Sequence, residues 1–164
     1  MKILIAVGTL REEGCADPIA AVVSFPWPAQ TIFRVITVAA FVHPPVAGLM
    51  AGAFDVADVQ ENLDAASRDA AALAAAQLKE HGFVADSVSQ EGDPESTIVD
   101  YAKSWGADLI IVGECHRSAV ERFLAGSVSH SVVKHAPCSV LVIKKVNAEA
   151  EVEKKTTDRE PALV

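Results

Sequence analysis

The amino-acid sequence predicts an α/β domain built on an open, doubly wound parallel sheet. Short apolar segments alternate along the chain with segments of helical period. Several of the short segments are continuously apolar, as expected for strands that are covered on both faces. An alternating order of strands and helices implies parallel pairing through right-handed crossovers, with helices on both faces of the sheet.

Five segments are predicted as strands. Four of them are β-branched or continuously apolar, and the third alternates apolar and polar residues, a pattern typical of a half-exposed edge strand. The predicted strands are Ile3–Val7, Ile32–Val38, Phe83–Ser89, Leu109–Val112 and Val140–Ile143.

Four helices are predicted from their termini as well as from their period. Aspartate followed by proline opens the first and third helices, since a carboxylate caps free amides and proline suits the first helical position. Gly82 and Gly106 end the second and third helices. The predicted helices span residues 18–25, 55–81, 94–105 and 127–135.

Length and charge restrict the function. The chain has 164 residues, which is the usual length of one domain. Its net charge is −8, so a basic surface for nucleic acid is not expected. No apolar run reaches the ~20 residues that span a bilayer, so a cytoplasmic protein without a membrane partner is expected. Residues 1–145 are predicted to form the domain, and the charged residues 146–164 a flexible tail.

The three cysteines, Cys15, Cys115 and Cys138, are widely spaced and odd in number. This argues against a disulfide framework and suits a reducing compartment. No second pair at ligand spacing accompanies Cys115 and His116, so no metal site is predicted. Cys115 lies beside His116 and Arg117, which favour a lowered thiol pKa, but an ordinary thiol is the leading interpretation.

A glycine pattern after the fourth strand suggests an anion site. Gly113 ends the strand, and thirteen residues later Gly126 and Ser127 open a helix. Free amides at a helix start attract phosphate, and glycine lets a ligand approach the backbone. On spacing alone, a turn glycine and an ordinary capping serine are the leading explanation of the pattern, because serine is so common at helix starts.

Residues 83–145 resemble the universal stress protein family in the order and spacing of three motifs, and the first strand agrees. The motifs are Gly-Asp-Pro at 92–94, Gly-Ala-Asp-Leu-Ile-Ile-Val-Gly at 106–113, and Leu-Ala-Gly-Ser-Val-Ser at 124–129 followed by residues 133–143. The resemblance implies strand order 3-2-1-4-5 in an adenine-nucleotide alpha-hydrolase-like fold. It also implies a site for ATP or a related adenine nucleotide, with Mg²⁺ considered as its counterion.

The family's nucleotide motif is glycine, two residues, glycine, nine residues, then glycine and serine or threonine. Gly113, Gly126 and Ser127 match it, whereas His116 replaces the second glycine. Gly8 replaces the acid that meets the adenine in nucleotide-binding members. The resulting set of predicted site residues is Gly8, Val38, Val112, Gly113, His116, Gly126, Ser127 and Val128. Core packing is the alternative role of Val38.

Two functions follow from the resemblance. The first is a nucleotide-binding, homodimeric stress-response module; the second is a nucleotide-independent member of the family that binds other proteins. No catalytic residue is predicted, so enzymatic activity is limited to slow ATP hydrolysis at most. The apolar last strand, Val140–Ile143, would lie at a sheet edge, where a second copy of the chain or the acidic tail would cover it.

Overall fold

The computed structural model describes residues 1–9, 15–41, 56–114 and 128–144. These residues form one sheet of five parallel strands, as predicted. Its strands are β1 (Lys2–Ala6), β2 (Ile32–Ala39), β3 (Val84–Glu91), β4 (Leu109–Gly113) and β5 (Ser139–Ile143). The strands differ from the predicted ones by one or two residues at their ends.

The strand order is β3-β2-β1-β4-β5, which confirms the predicted doubly wound architecture. Strand β1 is central: Ala6 lies in register with Ile36 of β2 on one side and with Val112 of β4 on the other. The chain builds outward from β1 to β3 and then returns to the opposite side of β1 with β4. The order of strands therefore reverses between β1 and β4.

Four helices lie in the described part of the chain. They are α1 (Pro18–Ser24), α2 (Val56–Glu80), α3 (Pro94–Trp105) and α4 (Val128–His135). Asp17 accepts hydrogen bonds from the amides that open α1, and Asp93 does the same for α3. The hydrogen bonds from the amide and hydroxyl of Ser96 lower the pKa of Asp93. Gly106 ends α3 in the left-handed conformation that glycine tolerates best.

The core consists of two apolar layers, one on each face of the sheet. Helices α1 and α2 cover one face, where Ile3, Ile5 and Phe33 are fully buried. Helices α3 and α4 cover the other face, where Leu4 and Ile110 are fully buried. This alternation along β1 explains its continuously apolar sequence, because neighbouring side chains point to opposite layers.

A charged and aromatic cluster joins β2, β3 and α3. The Nε of Arg34 donates to Asp86 at 2.6 Å, and its Nη1 donates to the Tyr101 hydroxyl at 3.1 Å. Its guanidinium lies 4.8 Å from the ring centroid of Trp105, and Lys2 lies over the same ring. The hydrogen bonds to Asp86 raise the pKa of Arg34, so this cation stays charged. The cluster fastens α3 to the side of the sheet.

We expect Arg34→Lys to lower the free energy of unfolding by about 1 kcal/mol, because lysine cannot reproduce the paired hydrogen bonds or the planar stacking. The effect is modest because the side chains of Arg34 and Asp86 are 26% and 48% exposed. Urea denaturation measures it, with Arg68→Lys on the exposed face of α2 as the matched control. Equal stability of the two variants would show that the cluster contributes nothing beyond its charge.

Candidate functional site

The candidate ligand position, here called the crevice, is at the carboxyl ends of β1 and β4, where the order of strands reverses. The chain continues from these two strands to α1 and α4, which lie on opposite faces of the sheet, and open α/β sheets bind ligands where such a reversal occurs. Gly8 follows β1 by two residues and is exposed, and Gly113 ends β4. The two glycines therefore lie at the same edge of adjacent strands.

Three predicted site residues face the same side of the sheet. Val38, Val112 and Val128 all belong to the apolar layer under α3 and α4, as does Ala6 at the end of β1. Val112 is 3% exposed, which makes it a core residue beneath the crevice. Val38 and Val128 are half-buried and have surface left for a flat apolar group. Both roles that were considered for Val38 are thus compatible with its position.

Gly113 is required by a close approach of backbone from the other side. A Cβ atom on residue 113 would lie 2.5 Å from the carbonyl oxygen of Ala16, a distance that real Cβ atoms do not reach. The amide of Ala16 also donates to the carbonyl of Glu114 at 2.9 Å. The segment before α1 thus lies directly against the end of β4, and this contact alone accounts for a glycine at position 113.

Charged groups border the crevice at the end of β4. The Glu114 amide donates to the Ile143 carbonyl at 2.8 Å, which extends the pairing of β4 with β5. Its carboxylate lies 3.8 Å from the Nζ of Lys144 and is largely shielded from solvent. In the described part of this rim, the charges of Glu114 and Lys144 offset each other and create no local positive field. Among these residues, an anion would be attracted by backbone amides.

The remaining predicted site residues, His116, Gly126 and Ser127, lie outside the described residues, as do Cys115 and the predicted tail at 146–164. Within the described ranges, no three His, Cys, Asp or Glu side chains converge as metal ligands would. None of the helices there is long and apolar enough to cross a bilayer.

Two features near the strand ends were not predicted. The first is a set of polar contacts between α2 and the strands β2 and β3, in which Thr37 and Ser67 are buried and Ser89 is half-buried. Thr37 donates to the backbone carbonyl of Ser67 at 2.8 Å, and Ser89 donates to the Ser67 hydroxyl at 2.9 Å. Small polar residues at strand positions were the only sequence signal for it. The second is that Cys15 is disulfide-bonded, which the odd number and wide spacing of the cysteines argued against.

Fold and crevice together define an open α/β protein with a ligand position at the reversal of strand order. The sequence model of the universal stress protein family matches residues 29–144. The chain therefore belongs to the universal stress protein family, as its motifs indicated.

Individual relatives and solved structures agree with this assignment. A universal stress protein of Methanocaldococcus jannaschii is 46% identical over 59 residues, which is 36% of this chain and 35% of that protein. The chain thus matches about a third of the length of such curated relatives. The universal stress protein UspA from Lactobacillus plantarum superposes with a TM-score of 0.64 at 23% identity, covering 87% of this chain and 97% of that one.

A universal stress protein family protein from Arabidopsis thaliana, solved with AMP bound, superposes with a TM-score of 0.55 at 19% identity. The match covers 91% of this chain and 94% of that one. At these identities, the likeness to both solved structures is one of fold.

We expect Gly113→Ala to lower the free energy of unfolding by about 1–3 kcal/mol, since the new methyl group would overlap the Ala16 carbonyl unless the segment before α1 moves away. Thermal and urea denaturation measure the loss. A variant within about 0.5 kcal/mol of the parent would show that this segment yields freely, so that the contact does not explain the glycine.

Proposed function

We propose that this protein binds ATP or a related adenine nucleotide in the crevice at the ends of β1 and β4, and acts as a homodimeric stress-response module. The single observation that carries the proposal is the position of Gly8 and Gly113 at the ends of the two strands between which the order reverses. Membership of the family and the AMP bound to the Arabidopsis protein of the same fold support it.

Different residues of the crevice would contact the purine ring and the phosphates of such a nucleotide. Val38 and Val128 offer partly exposed apolar surface on one face of the sheet, which suits a purine ring. Gly113 begins the glycine motif that Gly126 and Ser127 complete in the sequence, and backbone amides of that motif would receive phosphate oxygens. Mg²⁺ would enter only as the counterion of the phosphates.

Because the protein is acidic, a nucleotide would have to be held by short-range contacts. The chain carries a net charge of −8, so long-range attraction does not favour an anion. Glu114 adds a carboxylate at the rim, beside the motif's first glycine. Affinity would therefore depend on oriented amides and on the apolar surface for the base.

We propose no enzymatic activity beyond slow ATP hydrolysis. Nucleophilic or hydrolytic chemistry needs a base held beside the nucleophile or the attacking water. The described residues of the crevice are glycines, apolar side chains and the Glu114–Lys144 pair, and none of them forms such an arrangement. The location in the cytoplasm stays a prediction from the sequence.

Isothermal titration calorimetry with ATP and with AMP, each with and without Mg²⁺, tests nucleotide binding. We expect saturable heat at one nucleotide per chain and an affinity no tighter than micromolar, because Gly8 lacks the family's acidic contact. Absence of heat at millimolar nucleotide would reject the proposal.

The variant His116→Gly then distinguishes the nucleotide-binding function from the nucleotide-independent one. If His116 crowds the phosphates, His116→Gly should raise the affinity for ATP about tenfold and change the affinity for adenosine little. His81→Ala, which removes an exposed histidine near the amino end of β3, is the matched control. A parent without affinity and a His116→Gly variant that binds would favour the nucleotide-independent function, which depends on protein partners.

The dimer is proposed on the exposure of β5. This strand lies at the edge of the sheet, and its four apolar residues, Val140–Ile143, are only half-buried in the single chain. An open apolar edge strand invites pairing with another strand. A second copy related by a twofold axis would satisfy the free backbone groups of this edge and shield the side chains beside it.

We expect Val142→Lys to weaken dimerisation at least ~100-fold, because an ammonium group would have to be buried in the contact between the copies. Analytical ultracentrifugation measures the change. Val84→Lys is the matched control, since Val84 is 65% exposed on the opposite edge strand, β3.

Removal of residues 146–164 tests the competing cover for β5. If the acidic tail covers the strand, the parent should be monomeric and the shortened chain should dimerise. A parent that dimerises equally well with and without these residues would support pairing of two copies.

A further inference from the structure

Cys15 lies against the end of β4, beside the proposed crevice. The Ala16 amide donates to the Glu114 carbonyl at 2.9 Å, and Cys15 itself forms an isolated β-bridge. The Ala16 carbonyl lies over Gly113, so Cys15 and Ala16 are held against the strand end. Cys15 is disulfide-bonded in this position.

Cys138 is not its partner. It carries a free thiol and precedes β5, whose first residue, Ser139, lies in register with Leu109 at the start of β4. Cys15 lies instead beside Glu114, five residues further along β4 and thus about 16 Å away at the usual rise of a strand. Burial and the charge of Asp108 also raise the pKa of Cys138, which makes this thiol less reactive.

The backbone hydrogen bond identifies the other candidate. The bond from Ala16 to Glu114 holds Cys15 close to the end of β4. A disulfide requires Cα atoms within about 7 Å of each other, so the partner of Cys15 must come from a segment near Glu114. The residue that follows Glu114 in the sequence is the remaining cysteine of the chain, Cys115.

We propose that Cys15 and Cys115 form a reversible disulfide that fastens the segment before α1 to the start of the glycine motif after β4. Cys115, considered from the sequence as a single redox-sensitive thiol, thereby gains a partner. Its bond to Cys15 would hold together two chain segments that border the crevice. Reduction would release the start of the motif while the sheet below it stays intact.

The chemistry is ordinary thiol–disulfide exchange with a small-molecule disulfide such as oxidised glutathione. One cysteine thiolate attacks the glutathione disulfide and releases one glutathione thiolate. The second cysteine thiolate then displaces the other glutathione and closes the protein disulfide. Two protein thiols lose two protons and two electrons, and one oxidised glutathione becomes two reduced molecules. Cys15 is only half-buried, so small thiols can reach it for the reverse reaction.

Peptide mapping of the full chain tests the proposal directly, because trypsin places each cysteine in its own peptide. Cys15 lies in residues 12–34, Cys115 in residues 104–117 and Cys138 in residues 135–144. The protein is equilibrated with mixtures of oxidised and reduced glutathione, alkylated and digested. We expect a crosslink between the first two peptides that appears with oxidation and disappears with excess dithiothreitol, while Cys138 is alkylated throughout.

Cys138→Ser is the matched control and should leave the crosslink unchanged. Complete alkylation of Cys15 and Cys115 in oxidised glutathione, or a crosslink that contains Cys138 or joins two chains, would overturn the proposal. A crosslink that persists in excess dithiothreitol would overturn its reversibility.

A thermal readout gives a second test that does not depend on digestion. We expect reduction to lower the Tm of the parent and of Cys138→Ser by about 5–10 °C, since closing a long loop restricts the unfolded chain. Cys15→Ser should have the lower Tm in both redox states. Equal Tm values for oxidised and reduced parent would contradict the proposed link. Neither test requires nucleotide, so the disulfide is tested independently of the titration with ATP.

Discussion

The central strand β1 is the constraint on which the rest of the structure depends. It pairs with β2 on one side and β4 on the other, and Ile3, Leu4 and Ile5 are 0% exposed. A strand buried on both faces requires helices on both faces. Because each crossover is right-handed, helices reach both faces only if some strands are added on one side of β1 and the others on its opposite side. The reversal of strand order is thus a consequence of covering the core, and the candidate site is the pair of strand ends at which it occurs.

Local signals predicted most of the fold. Asp17 and Asp93 capped the helices that they were expected to cap, and Gly106 ended α3 in the expected conformation. The continuously apolar strands lie inside the sheet or at its β5 edge, and the alternating strand, β3, lies at the opposite edge. These predictions succeeded because burial and capping are decided by residues close together in the chain. The strand order came from the family motifs, since local periodicity does not specify which strands are neighbours.

Contacts between distant segments could not be predicted in the same way. Arg34 and Asp86 are opposed in adjacent strands, yet the ring of Trp105 completes their cluster from a helix much further along the chain. The sequence offered a ligand or a turn as the reason for Gly113, whereas the structure shows that the Ala16 carbonyl is a sufficient reason. The pairing of Cys15 likewise depends on which loop lies over β4. Topology thus predicts where the candidate site lies, whereas the contacts of its residues with distant segments required the structure.

The position of Gly113 also bears on how the crevice is controlled. One side of its backbone is occupied by Ala16, whereas Val38 and Val128 belong to the apolar layer on the other face of the sheet. Ala16 therefore supports the strand end from the face opposite to these valines. Because preorganised backbone amides bind an anion without a further ordering cost, this support matters more in an acidic protein, which cannot rely on long-range attraction. A disulfide at Cys15 would strengthen the contact of Ala16 with the strand end and would leave the apolar surface for the base unchanged.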